Sequence, residues 1–205
     1  EKLLMSHLIS AQSTGASNAP TREINYGKFA SNDQVTRVDC DNGQVGSYDT
    51  DTELVVLGYD NDGSGAGDTV WEQLATVTGD GSAVMSTGTI TAKKYLMYQF
   101  FAGGAQSAQI EFNDDTAANY TIRQSIDGAA DQAYTSISGG LGVFIGASEN
   151  NGSSVGYIVN NSGQEKLVIN QTTQQNATGS SNAPVRKELV GKWANTSASI
   201  TKIDF

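Results

Sequence analysis

Apolar residues along this chain fall into short runs, and turn-forming residues end each run after a handful of positions. Tyr95-Leu96-Met97-Tyr98-Gln99-Phe100-Phe101 is nearly continuous, as is the run ELVVLGY at 53–59. Both read as strands covered on two faces. Gln109-Ile110-Glu111-Phe112, Tyr120-Thr121-Ile122-Arg123 and Lys166-Leu167-Val168-Ile169 alternate between apolar and polar. Successive side chains of an extended chain point to opposite faces, so these read as strands with one face toward a core. The runs 155–159 and 199–203 add two more. Between them lie Asn42-Gly43, Asp62-Gly63, Asp80-Gly81, Asp127-Gly128 and Asn151-Gly152. Such pairs tolerate positive φ and close hairpins. No long apolar stripe has the helical period. The pattern predicts an all-β fold, an antiparallel β-sandwich of jelly-roll type, with helix confined to short turns.

A second pattern acts at longer range. Glu1-Lys2-Leu3 recurs as Glu165-Lys166-Leu167, and Thr14-Gly15-Ala16-Ser17-Asn18-Ala19-Pro20 as Thr178-Gly179-Ser180-Ser181-Asn182-Ala183-Pro184. Arg22 matches Arg186, and Gly27-Lys28-Phe29-Ala30 matches Gly191-Lys192-Trp193-Ala194. One residue further out of step, Val35-Thr36-Arg37-Val38-Asp39 matches Ile200-Thr201-Lys202-Ile203-Asp204. The spacing is that of a typical domain. Residues 1–40 therefore read as a partial repeat or β-arm equivalent to 165–205, and 41–205 as a complete sandwich domain. Two arrangements fit: a window on a tandem array, or two similar segments in pseudo-symmetric slots of one sandwich. Similarity this local in sequence favours the same slot in successive repeats. The first copy is then expected outside the core slot of the second. It would complete a partial domain, pack on the outside of the complete one, or add to a neighbouring subunit through its unpaired edge. Leu3, Leu8, Ile24, Phe29, Val35 and Val38 would need a partner's cover. The opening Glu1-Lys2-Leu3-Leu4 starts in the middle of the pattern, without an initiator Met or a signal-peptide profile, and reads as trimmed or excerpted.

Charge removes whole classes of partner. Against 22 acidic residues stand 12 basic ones, for a net charge of −10 and a pI of about 4.4. A nucleic-acid binder needs a cationic stripe to displace counterions from phosphate. Here the basic doublets Lys93-Lys94 and Arg186-Lys187 stand apart. An anionic membrane surface is an equally poor partner. No apolar run reaches the length of a membrane span. The lone cysteine, Cys40, excludes an intrachain disulfide. A chain of 205 residues buries enough core without such a staple.

Candidate chemistry centres on a glycine-rich acidic loop. Asp60, Asp62, Ser64 and Asp68 alternate oxygen-bearing side chains in DNDGSGAGD. Hard cations want several oxygens and a chain able to turn between them, so this loop is the candidate calcium site. It lacks the closing carboxylate: Trp71 holds that position and Glu72 comes one later. An acidic hairpin loop in solvent is the competing reading. Asp49, Asp51 and Glu53, and the pair Asp114-Asp115, could supply the facing carboxylates of a glycoside hydrolase. Nothing fixes such a pair, and solvated loop charge is the better reading. His7 is the sole histidine, and Gln171 stands opposite it in the repeat. A Ser-His-Asp triad would have to use His7, and no nucleophile elbow is present. Cys40 corresponds to Phe205 and reads as a small apolar filler. Gly139-Gly140-Leu141-Gly142 lacks the Gly-Lys-Ser/Thr of a phosphate loop. Trp71 and Trp193 could form a sugar-stacking platform, although the match of Trp193 to Phe29 points to a packing slot.

Four segments resemble a repeated β-domain of virion structural and fibre-like proteins of marine viruses: VLGYDND at 56–62, STGTITAKKYL at 86–96, FNDD at 112–115 and VGKWANTS at 190–197. The resemblance implies a sandwich fold and a place on the particle surface, and it brings no functional residues with it. The chain is thus expected to be a non-enzymatic virion surface component: capsid decoration, head fibre or tail-fibre module. Its partners would be copies of itself and other virion proteins, with glycans as a further option. A cell-surface filament subunit or lectin-like adhesin is the alternative, and a polysaccharide-degrading β-protein the third class.

Overall fold

The structure, a computed structural model, describes residues 2–11, 13–30, 37–40, 52–54, 71–103, 107–144 and 151–205. Among the described residues the chain forms strands and no helix. Strands β1 (Lys2–Ser10) and β2 (Thr21–Phe29) pair as a two-stranded sheet. Then follow β3 (Tyr95–Ala102), β4 (Gln109–Phe112), β5 (Tyr120–Ile126), β6 (Gln132–Ile137) and the short β7 (Leu141–Gly142). The last four are β8 (Gly152–Val159), β9 (Lys166–Gln174), β10 (Val185–Trp193) and β11 (Ile203–Asp204). Six strands make one sheet in the order β3-β8-β9-β10-β5-β6, and three make another, β11-β4-β7. Pairing within both is antiparallel. The fold is all-antiparallel β, in several sheets.

The chain divides into two compact units. One comprises Glu1–Leu4 and Gly27–Gln73, and the other Met5–Tyr26 and Leu74–Phe205. The core of the second unit draws on both of its sheets. Ile122, Ile158, Val168, Leu189 and Trp193 come from the six-stranded one, and Ile110, Phe112, Leu141 and Ile203 from the three-stranded one. Each large side chain buried here contributes about 2 kcal/mol. A polar cluster lies among them: Asn170 Nδ2 donates to the Tyr98 hydroxyl at 2.8 Å, and Thr172 Oγ1 donates to Val143 O at 2.9 Å. These bonds satisfy groups that would otherwise be costly to bury. Burial pushes the Tyr98 hydroxyl well above its ordinary pKa, so it stays a neutral hydroxyl.

Turn chemistry follows the sequence in one place and departs from it in another. Asp127 and Gly128, at φ 52° and 79°, turn the chain from β5 toward β6. Asn151-Gly152 makes no hairpin, because Gly152 opens β8 beneath a ring. A Cβ there would lie 2.8 Å from Phe144 Cε2, so glycine is needed for close approach. Of the run expected as a strand at 199–203, Ile203 opens β11 and the residues before it are held by asparagine side chains. Asn113 Oδ1 accepts from the amides of Thr201 and Lys202 at 2.9 and 3.0 Å, and Asn160 Oδ1 accepts from Ile200 N at 2.7 Å. Of the strand expected at 53–59, Glu53 and Leu54 are not in a strand, and residues 55–59 lie outside the described residues.

The two copies of the sequence repeat form matching hairpins. β1 opens at Lys2 and β9 at its counterpart Lys166; β2 opens at Thr21 and β10 at its counterpart Val185; all four strands are nine residues long. Their surroundings differ. In β10, Leu189, Gly191 and Trp193 face the three-stranded sheet, where a Cβ on Gly191 would lie 2.8 Å from Leu141 Cδ1. Glu188, Val190 and Lys192 face the opposite way by strand alternation. Val190 and Lys192 are nevertheless fully buried. The cover on that outer face is the segment described next.

Candidate functional site

The connection between β1 and β2 is seated on the outer face of the six-stranded sheet. Lys192 Nζ donates to Ser13 O at 2.9 Å and pairs with Glu165 at 3.0 Å. Gly15 N donates to Glu165 Oε1 at 2.6 Å, and Ser136 N donates to Ala16 O at 2.8 Å. Arg123 Nε donates to Pro20 O at 2.7 Å. Arg22 closes the seat with a fork. One terminal nitrogen meets Glu188 and the other meets Asp131, each at 2.6 Å. Strand alternation explains the geometry: Arg123 on β5 and Glu188 and Lys192 on β10 all project from the face away from the core. Burial alone would lower the Arg22 pKa, but the hydrogen bonds to Asp131 and Glu188 outweigh it and raise it. His7 lies at the same seat. Burial first, then the neighbouring Arg22 charge, holds it below its ordinary 6.5 against the opposing pull of Glu188. Neither of its ring nitrogens has a hydrogen-bond partner.

Outside this seat the first hairpin exposes apolar side chains. Leu4 is 65% exposed, Tyr26 76% and Phe29 57%. Their counterparts in the second copy, Val168, Val190 and Trp193, are buried. Val38 is likewise exposed where its counterpart Ile203 is in the core. The same pattern of side chains is thus covered in one copy and uncovered in the other.

A second cluster lies on the three-stranded sheet. Glu111, Asp114 and Asp204 bring carboxylate oxygens within 4.8 Å of one another. Asp204 stands directly opposite Glu111 in the β11–β4 pairing. Lys202 answers them, paired with Asp114 and, at 3.1 Å, with Asp204. One Asp204 oxygen, Oδ1, is buried without a partner. Burial, then the Asp204 and Asp114 charges, raises the Glu111 pKa. This acidic triad could coordinate a divalent cation, since hard cations take clustered carboxylate oxygens. The repeat carried a clue, because Arg37 pairs with Asp39 at 2.7 Å as Lys202 pairs with Asp204. Glu111 gave no such signal, being one polar position in an alternating strand.

The residues singled out in the sequence fare unevenly. Asp60, Asp62, Ser64 and Asp68, the expected calcium loop, lie outside the described residues, as do Asp49 and Asp51. Asp114 and Asp115 do not act as a pair. Asp114 joins Lys202, whereas Asp115 accepts from Trp193 Nε1 at 2.7 Å and from Asn119. Burial works against the Asp115 charge, but hydrogen bonds from Trp193, Asn119 and the amide of Ala117 hold its carboxyl below the usual range. Trp193 fills a core slot between Phe112 and Tyr120. Trp71 is exposed. Cys40 is exposed too, so it is not the packed filler its match to Phe205 suggested; Phe205 itself stacks on Phe100 at 4.3 Å. A shallow groove of about 280 Å³ lies at the turn end of the second hairpin, lined by Phe101, Asn151, Thr173, Gln175 and Asn182 among others. None of the three clustered carboxylates lines it. No helix among the described residues is long and apolar enough to cross a membrane.

No family model matches the chain, and no curated protein or solved structure matches it.

Proposed function

We propose that this chain is a structural module of a virion surface, as capsid decoration, head fibre or tail-fibre segment, acting by self-association and attachment. In this reading the six- and three-stranded sheets are the two layers of a jelly-roll sandwich. Residues 1–40 are the closing part of a preceding repeat. The observation that carries it is the duplicated hairpin, built into a core in one copy and left with exposed Leu4, Tyr26 and Phe29 in the other. Large apolar side chains left uncovered on a protein surface suit an interaction site. Partners are then copies of the same module and other virion proteins. The location is the virion surface or the extracellular medium, where a charge of −10 keeps modules apart except at specific contacts. The role assigns no catalytic residue.

A second reading, the cell-surface filament subunit or lectin-like adhesin, draws support from the groove. Phe101 is 70% exposed there, beside the side-chain amides of Asn151, Gln175 and Asn182. An aromatic face with nearby amides suits a sugar ring. Immunogold labelling of virus particles and of cells with antibody to this chain separates the two. Gold on particles supports the first reading, gold on cell-surface filaments the second, and gold confined to the cell interior refutes both. A glycan array adds the ligand test: binding abolished by Phe101→Ala favours the adhesin.

A further inference from the structure

The loop that seats the first hairpin has a twin. Asn18 Nδ2 donates to Thr14 O at 2.9 Å, and Asn182 Nδ2 donates to Thr178 O at 2.7 Å. Asn18 N donates to Gly15 O at 3.3 Å, and Asn182 N donates to Gly179 O at 3.2 Å. Gly15 and Gly179 share φ values of 90° and 93°. The second loop therefore holds the seated shape without a seat: residues 176–184 are all exposed, and Pro184 is open where Pro20 is buried. A loop already rigid in its docking conformation loses little freedom on docking.

The contacts of the first loop transfer to the second. Ser13 O, Gly15 N, Ala16 O and Pro20 O are main-chain atoms, so the changes to Ala177 and Ser180 leave the hydrogen bonds available. The one side chain that docks, Arg22, is Arg186 in the twin. Arg186 is 56% exposed and reaches Glu188 only at 3.4 Å. Two residues of the seat recur in the sequence of the first copy, Glu1 at the place of Glu165 and Lys28 at the place of Lys192.

We infer that the loop at residues 177–186 is a plug for a second copy of this chain, seating on that copy's Glu165, Lys192, Arg123, Ser136, Asp131 and Glu188. The plug and the seat are different surfaces, so the contact is heterologous and propagates head to tail instead of closing on itself as a two-fold dimer does. In the chain described here the first hairpin fills the seat, leaving the plug as the open end. This inference rests on the self-associating module proposed above and names its joint.

Opening the seat tests it. Arg22→Glu in the full chain places a carboxylate against Asp131 and Glu188 and expels the first loop. Sedimentation velocity on R22E should show the weight-average mass rising with concentration to about twice that of the monomer or beyond, as head-to-tail addition requires. The double variant R22E/R186E should return to monomer, and R186E alone should match the wild type. R22E that stays monomeric, or that associates equally with and without R186E, overturns the inference. Should R22E lose its cooperative melt, disulfide trapping reads the same contact in the milder Arg22→Ala variant, whose first loop is released without a repelling charge. On a Cys40→Ser background, Ser136→Cys with Ser180→Cys should give linked multimers under oxidant, whereas Ser136→Cys with Ala16→Cys should link within one chain. Failure of the first pair beside success of the second also overturns it. A chain found on particles whose R22E variant is monomeric loses the plug and keeps the module; plug-dependent multimers with gold only inside cells do the reverse.

Discussion

Gly27 and Gly191 occupy the same place in the two hairpins, and the structure assigns them opposite responses to alanine. A Cβ on Gly191 would sit 2.8, 3.1 and 3.4 Å from Leu141 Cδ1, Cδ2 and Cγ. Leu141 is fully buried and has no room to retreat. Overpacking of this kind costs about 1–3 kcal/mol. Alanine also removes freedom from the unfolded chain, which returns about 0.4–1 kcal/mol where the backbone suits it. Neither glycine has a positive φ, so that gain applies to both. Gly191→Ala should therefore lose about 1–2 kcal/mol net, a fall of a few degrees in melting temperature for a domain this size. A Cβ on Gly27 would meet only the Leu4 side chain at 3.7 Å, an ordinary contact. Gly27→Ala should be neutral or stabilising by a few tenths of a kcal/mol. Urea unfolding followed by tryptophan fluorescence reads the difference, since Trp193 lies in the affected core. The midpoint of G191A should drop at constant slope, as expected when stability alone changes. Equal losses in the two variants would refute the claim that one copy is covered and the other is not.

Three further outcomes follow from the charged sites. His7 has its pKa below the ordinary 6.5 at a seat it shares with Arg22 and Glu188. The unfolded state then binds the proton more tightly, so this stabilisation is complete above pH 6.5 and is lost as pH falls through the folded value. His7→Gln, the residue of the second copy, should flatten the pH dependence of melting on the acid side. Lys202→Gln removes the cation serving Asp114 and Asp204 and should lower the melting temperature; millimolar calcium should restore part of the loss through Glu111, Asp114 and Asp204, and EDTA should abolish that recovery. No calcium response in this variant would mean that the triad holds no ion. Burial lowers the Lys187 pKa to about 8. Its NMR titration should have a midpoint near that value, and its contribution to stability should grow as pH rises from about 8 toward the ordinary 10.5.

Strands with one covered face were legible because alternation survives there: β4 and β9 lie where their period-two patterns placed them. β5 kept the alternation of Tyr120-Thr121-Ile122-Arg123 although both of its faces are covered. β10 was not foreseen, since cover on both faces erases the alternation and brings Lys187, Glu188 and Lys192 into a strand buried through local pairing. β6 was missed for the opposite reason: it is an exposed edge, and QAYTSI carries little apolar signal. The hairpin repeat could be read from the residues, but its seat could not. Glu165, Lys192, Arg123, Ser136, Asp131 and Glu188 come from distant stretches, and most of what they hold is backbone, which leaves no mark on residue type. The acidic triad was hidden similarly, assembled from a strand, a turn and the last bridge of the chain.

A joint that grips carbonyls and amides is nearly blind to the side chains it carries. Ser13 against Ala177 and Ala16 against Ser180 already show two pairs of residues compatible with one loop shape. Substitution at such positions can alter what the surface displays while leaving the seating intact. The shape itself is fixed by few residues: a glycine at positive φ, an asparagine bonded back across the turn, and an arginine for the fork. A segment seated in this way can drift outwardly without losing its hold.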